Sequence, residues 1–127
     1  MYLMIDPSLQ GSIRLLLLGK DTRMEKDFPA ENRELLLCVD EFLHENKCPV
    51  ENLLGVFVVL GSGGFTSTRI AVVVANTMSY VQKIPVGPLD SKQWDCSYDQ
   101  ISACLLPLGQ YVSAIYSGEP NITKGKS

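Results

Sequence analysis

The sequence has 127 residues, 46% of them hydrophobic and 20% charged, and its fourteen acidic and eleven basic residues give a net charge of −3. This length predicts one domain, and the apolar fraction is typical of a globular protein rather than a disordered one. The acidic balance excludes binding of nucleic acid through a basic field alone, and the longest apolar run, Ile70–Ala75, is far shorter than the ~18 residues of a membrane span.

Three short strands are predicted at the start of the chain, over Tyr2–Asp6, Ser12–Leu18 and Thr22–Phe28. Turn-forming residues separate them at Pro7–Gly11 and Gly19–Asp21, which favours a meander of two hairpins. The opening residues have neither the basic region nor the long apolar stretch of a secretory signal, so we expect a soluble cytoplasmic protein.

A helix is predicted from Pro29–Glu31 to about Asn46, since apolar residues recur there at intervals of three and four. One apolar stripe is formed by Leu35, Leu36, Val39, Phe42 and Leu43. Lys47–Pro49 ends this helix.

A buried central strand is predicted over Leu54–Leu60, followed at once by the glycine-rich stretch Gly61–Thr66. A second helix then runs from Thr66 or Ser67 to Val81, and apolar residues cover most of its circumference. We expect it to pack on the sheet with one face and on other helices or another chain with the opposite face. Ala71 and Ala75 would permit close approach of that second helix or chain.

The remainder of the chain predicts a short strand at Ile84–Gly87, then a connection or short helix over Asp90–Tyr98. Two apolar segments, Ser102–Leu108 and Gln110–Ser117, favour a final hairpin. Residues Gly118–Ser127 form a polar tail. The expected division is therefore a lobe over residues 1–90, a connection and hairpin over 91–117, and the tail.

The element order βββαβαβ predicts an α/β fold with a mixed sheet, because strand–helix–strand units require parallel strands. The first strand and the strand before the glycines would then end at the same sheet edge. This arrangement places Asp6 and the glycine-rich stretch beside one crevice, where open α/β sheets bind ligands.

A phosphate site at this crevice is one interpretation, because a strand that passes through glycines into a helix can direct backbone N–H groups at an anion. Its candidate residues are Asp6, Gly61, Gly63, Gly64 and Thr66. The alternative is a tight strand-to-helix connection without a ligand, with Asp6 stabilising its own turn. The stretch lacks the lysine of a P-loop and the spacing of a dinucleotide-binding motif.

The four cysteines and the single histidine predict neither a zinc site nor a nucleophile–base pair. No two cysteines have the C-x-x-C spacing, so reduced thiols are expected, with Cys38 and Cys104 buried and Cys48 and Cys96 partly exposed. His44 lies near the end of the first predicted helix, either as a solvated residue or as a general base. No metal or other cofactor is expected.

Several motifs of this sequence resemble those of the bacterial TsaB (YeaZ) family. Gly61–Ala71, with Phe-Thr-x-x-Arg-Ile at its centre, is similar to the family's G-P-G-S-F-T-G-L-R-I-G. Lys83–Gly87 is similar to G-I-P-L-V-G, and Ile5–Ser8 to I-D-T-S. Glu31–Leu43 is similar to H-S-E-x-L-L-P-x-I-D-x-L-L at Glu34, Leu35, Leu36, Val39, Asp40 and Leu43, and the resemblance covers roughly residues 2–90.

The resemblance implies the first lobe of an actin-like (ASKHA, ribonuclease-H-like) ATPase fold. The sequence departs from the family at Asn32, Ser62, Gly64, Ser67 and Ala71, and family members are nearly twice as long. It therefore resembles a divergent and shortened member, in which the final hairpin stands for the start of a second lobe. Loss of one lobe argues against ATP binding by this chain alone.

The resemblance also implies a role in tRNA threonylcarbamoyladenosine synthesis. Family members are non-catalytic subunits whose first two helices pair with those of the homologous catalytic subunit, TsaD, and an ATPase similar to TsaE can join them. The partner interface expected on these two helices consists of Leu36, Val39, Phe42, Leu43, Ile70, Ala71, Val74, Ala75 and Met78.

Two other functions remain open from the sequence. One is a small nucleotide- or phosphate-binding enzyme that uses Asp6 and Gly61–Thr66. The other is a homodimer that pairs through the same two helices and has no role in tRNA modification. Neither alternative requires strong direct binding of nucleic acid or contact with a membrane.

Overall fold

The computed structural model describes residues 1–7, 12–29, 35–60 and 65–113, and only the backbone of residues 65–67 and 91. Five strands form one sheet: β1 Tyr2–Asp6, β2 Ser12–Leu18, β3 Arg23–Pro29, β4 Gly55–Val59 and β5 Val86–Leu89. Their spatial order is β3-β2-β1-β4-β5. β1 pairs antiparallel with β2 and parallel with β4, and β4 pairs parallel with β5.

This sheet confirms the predicted α/β fold with mixed strands in the order βββαβαβ. Every residue of β1 and of β4 is buried, because both strands lie in the middle of the sheet and side chains cover both of its faces. β3 is an edge strand in which only Phe28 is buried. Its alternating charges discourage pairing with another strand.

Two helices cover one face of the sheet: α1 Leu35–Glu45 and α2 Phe65–Gln82. α1 buries four members of the predicted stripe, Leu35, Val39, Phe42 and Leu43, together with Cys38. The fifth member, Leu36, is exposed instead. The beginning of the predicted helix, at residues 30–34, lies outside the described residues. After α1 the chain forms a short 3₁₀ helix at residues 50–52 before it enters β4.

The opposite face of the sheet is covered by the chain that follows β5. A 3₁₀ turn at Ser91–Gln93 and the short helix α3 Tyr98–Ser102 place Trp94 and Ile101 on this face. Tyr2 fixes α3, because its ring stacks on that of Tyr98 with centroids 4.9 Å apart. The two sheet faces are therefore closed by different parts of the chain.

The predicted final hairpin is wrong in its first arm. Ser102 ends a helix, and residues 103–113 contain no strand. They run past the edge of β5, where the Leu106 N–H donates to the Val86 carbonyl at 2.9 Å, and Val112 then packs in the core beside α2. Residues 114–127, with the end of the second arm and the predicted tail, lie outside the described residues.

No helix in the described part of the chain has both the length and the apolar character needed to cross a membrane. Within the same residues, no three histidine, cysteine or acidic side chains are grouped as metal ligands would be.

Candidate protein-docking groove

The two long helices pack side by side and leave a groove between them at the protein surface. Its volume is about 670 Å³. The lining consists of Leu36, Leu37, Val39, Asp40, Leu43, Val50, Val73, Val74, Thr77, Met78, Val81 and Gln82. We call it the α1–α2 groove.

The base of the groove belongs to the core of the chain, whereas its walls face the solvent. Val39, Leu43 and Met78 are buried. The walls carry large aliphatic side chains that are more than half exposed: Leu36 (59%), Leu37 (57%), Val73 (62%) and Val81 (60%). Large aliphatic side chains gathered at this density on a monomer surface are typical of an interaction site.

The exposed apolar surface continues along α2 beyond the groove. Ile70 is 48% exposed and Tyr80 is 73% exposed. Ile70, Val73 and Val81 follow one another along the helix at intervals that keep them on its outward side. This distribution agrees with the expectation that α2 uses one face for the sheet and has a second apolar face.

The residues predicted for the partner interface fall into two groups. Leu36 and Ile70 are exposed and Val74 is partly buried, so they are available to a partner. The other six are buried by the chain itself: Val39, Phe42, Leu43, Ala71, Ala75 and Met78. Of these six, Val39, Leu43 and Met78 still border the groove.

Ala71 and Ala75 have no exposed surface at all. The close approach that their small size permits is used within the chain, where α2 packs against the rest of the core. A bulky charged substitution at either position would therefore disrupt the fold, and the two alanines are not available to a partner as the interface prediction requires.

The sequence did not single out Leu37, Val73 and Val81 as interface residues. On α2 almost every side is apolar, so periodicity alone could not say which residues face the sheet. The polar residues of α2 do not mark its exposed side either, because Ser79 is buried and donates a hydrogen bond to the Ile84 carbonyl.

The predicted phosphate site is described only in part. Asp6 is the last residue of β1 and is 4% exposed, and it already takes part in an interaction within the chain. β1 and β4 run parallel, so their ends meet at one sheet edge as expected. Gly61, Gly63 and Gly64 lie outside the described residues, and for Thr66, in the first turn of α2, only the backbone is described.

The thiols and the histidine occupy environments that differ in part from the prediction. Cys38 is buried as expected, but Cys48 is also buried and Cys104 is partly exposed, like Cys96. Burial raises the pKa of the Cys48 thiol, so this group stays protonated and a poor nucleophile at neutral pH. His44 is exposed in the last turn of α1, as its interpretation as a solvated residue predicts.

A polar cluster on the other side of the sheet holds the chain after β5 in place. The Trp94 indole N–H donates to Glu25 at 3.3 Å, and Arg23 donates to the Trp94 carbonyl at 3.0 Å and to Asp95 at 3.2 Å. The guanidinium of Arg14 lies 5.8 Å from the centre of the Trp94 ring. These groups satisfy one another, so the cluster is structural.

The fold is similar to that of two solved structures. One is "YeaZ from Pseudomonas aeruginosa", with a TM-score of 0.63 and 22% identity over 70% of this chain and 43% of that one. The other is described as an uncharacterized protein with similarity to peptidase YeaZ from Pseudomonas aeruginosa, with the same TM-score and identity over 70% of this chain and 42% of that one. This chain thus spans less than half the length of either structure.

The likeness confirms the expected actin-like fold. Neither a protein-family model nor a curated protein sequence matches the chain.

Proposed function

We propose that this chain is a pairing subunit of the TsaB (YeaZ) type, which binds a homologous TsaD-like catalytic subunit in cytoplasmic tRNA threonylcarbamoyladenosine synthesis. Three observations support the proposal: the fold similar to YeaZ, the TsaB-like motifs of the sequence, and the apolar α1–α2 groove. The groove is the observation that carries the proposal, because the resemblance places the family's partner on the same two helices.

The energetics of the groove favour a protein partner. Leu36, Leu37, Val73 and Val81 are exposed in the isolated chain, and burying such side chains stabilises a complex by roughly 25 cal/mol for each Å² removed from water. Their positions on two rigid helices reduce the entropy lost on binding. We assign threonylcarbamoyl transfer to the partner, since the resemblance places that chemistry on the TsaD-like subunit, and a TsaE-like ATPase would be a third component.

The proposal is tested by mixing the full chain with a TsaD-like subunit and measuring the dissociation constant of the complex. Val73→Glu introduces a carboxylate into the groove wall at an exposed position of α2, where glutamate is well tolerated in a helix. We expect it to weaken binding at least about tenfold, because the charge would be buried against apolar groups.

Leu108→Glu is the matched control. Leu108 is also 62% exposed, but it lies on the segment after α3 and does not line the groove. This variant should bind like the natural chain. Equal weakening by both variants, or binding that neither affects, would contradict the assignment of the groove as the interface.

Light scattering on the chain alone tests the homodimer alternative. If the isolated chain forms dimers through the groove, adding the TsaD-like subunit should replace one copy in each dimer. A dimer that is sensitive to Val73→Glu and does not exchange with the added subunit would support the homodimer and contradict the proposal.

A further inference from the structure

One acidic side chain interrupts the apolar wall of the α1–α2 groove. Asp40 is exposed, and it is the only charged residue in the groove lining that the structure describes. Residues three and four apart are neighbours on a helix surface, so Asp40 lies among Leu36, Leu37 and Leu43. Its carboxylate is therefore placed inside the apolar surface rather than beside it.

The carboxylate of Asp40 has no cationic partner among the residues that the structure describes. Among the described residues no ion pair and no hydrogen bond involves it, whereas Glu45 on the same helix is held by Lys26 at 2.9 Å. The titratable neighbours on α1 are the adjacent Glu41, which is also acidic, and His44 one turn later. On the facing helix the groove offers only the uncharged Thr77 and Gln82.

A partner that covers this groove removes water from the Asp40 carboxylate, so it must compensate the negative charge. An ionised carboxylate that loses its water without gaining a partner costs several kcal/mol. A partner that places only aliphatic side chains over Asp40 would therefore bind more weakly. A lysine or arginine in the same place would turn the penalty into a charge-assisted hydrogen bond.

The groove also restricts the backbone of its occupant. The described lining offers few polar side chains and no free strand edge, so the occupant must satisfy its own N–H and C=O groups. A helix does so. The lining extends from Leu36 to Leu43 on α1 and from Val73 to Gln82 on α2, roughly 10 to 14 Å at 1.5 Å per residue, which fits about two to three turns of a helix.

We propose that the occupant of the α1–α2 groove is an amphipathic helix of another protein, which presents aliphatic side chains and one lysine or arginine that pairs with Asp40. Asp40 is then the residue that determines partner specificity. A second copy of this chain is disfavoured, since its own groove presents another carboxylate and no cation among the described lining. The inference rests on the proposed function for the identity of the partner.

Asp40→Lys in the full chain tests this pairing by calorimetry with the TsaD-like subunit. We expect the dissociation constant to rise at least tenfold, and binding by the natural chain to weaken with added salt. Asp21→Lys is the matched control, because it makes the same charge change at an exposed position in the turn between β2 and β3. It should change the constant by less than about twofold. Unchanged binding of Asp40→Lys would overturn the inference but leave the proposed function intact.

Self-association of the chain provides a readout that needs no partner. Asp40→Leu removes the charge and makes the wall continuous, so sedimentation should show at least fivefold tighter self-association than in the natural chain. If the natural chain does not bind the TsaD-like subunit, the proposed function fails. The inference is then tested only by comparing the self-association of Asp40→Leu with that of the natural chain. Self-association of Asp40→Leu equal to that of the natural chain would overturn it.

Discussion

Gly87 shows how a single residue determines the path of the chain after α3. It lies in β5, and a Cβ atom placed on it would overlap the backbone carbonyl of Cys104. The absence of a side chain lets residues 103–106 pass close enough for the Leu106 N–H to reach the Val86 carbonyl. The neighbour that would have to move is backbone, so a substitution here cannot be accommodated by a change of rotamer.

Gly87→Ala should therefore lower the free energy of unfolding by about 1–3 kcal/mol, as overpacking of a core does. Urea denaturation measures this change. Ala103→Ser adds one atom at an exposed position beside Cys104 and should stay within about 0.5 kcal/mol of the natural chain. Equal stability of Gly87→Ala and the natural chain would mean that residues 103–106 do not lie against β5.

The five strands and the two long helices follow from local sequence, whereas the chain after β5 does not. β1 and β2 have the predicted bounds, and α1 and α2 are placed correctly, because strand alternation, buried runs and helical spacing are properties of the segments themselves. The prediction fails after β5. The conformation of residues 103–113 is set by contacts with β5 and α2 rather than by the apolar pattern of the segment itself. The apolar run Ser102–Leu108, predicted as a strand, therefore does not form one.

Asn76 is the contact through which α2 holds this last segment. Its side-chain amide donates to the Val112 carbonyl at 2.9 Å and accepts from the Val112 N–H at 3.0 Å, which reproduces the pairing of a strand. Val112 is buried beside it. Asn76 is thus a polar residue of α2 that makes hydrogen bonds within the chain. The periodicity of the sequence could not distinguish this role from exposure of the side chain to solvent.

Asn76→Ala should release residues 107–113 while the sheet remains folded. The loss of two partly buried hydrogen bonds corresponds to about 1–3 kcal/mol, so limited proteolysis in this segment should become clearly faster. Thr77→Ala, at the next and exposed position of α2, is the control and should be cleaved like the natural chain. Cleavage of Asn76→Ala at the natural rate would show that other contacts hold the segment.

For the candidate site, the sequence predicts the two helices that line the groove but not which of their residues are exposed. The apolar character of α2 indicates a second packing face, and Leu36 and Ile70 are exposed as an interface requires. Ala71 and Ala75 are instead buried within the chain, because the rotation of α2, which is apolar on most sides, is set by tertiary packing. Phe42 is buried on the core-facing side of α1. Only the folded chain separates the residues that support the groove from those that a partner can touch.

At the scale of the whole molecule, the two faces of the sheet have different roles. The chain after β5 closes one face through Trp94 and Ile101, and the polar groups around Trp94 are mutually satisfied. The helical side buries the larger core but keeps the apolar α1–α2 groove open to solvent. A partner is therefore expected on the helical side and not on the side of α3.

Hydrogen–deuterium exchange of the full chain with and without a TsaD-like subunit tests this claim most directly. The account predicts slower exchange on binding at residues 36–43 of α1 and 73–82 of α2, with no change in β3 or in residues 91–105. Protection that falls on α3 and the Trp94 side, while α1 and α2 exchange as in the free chain, would contradict it.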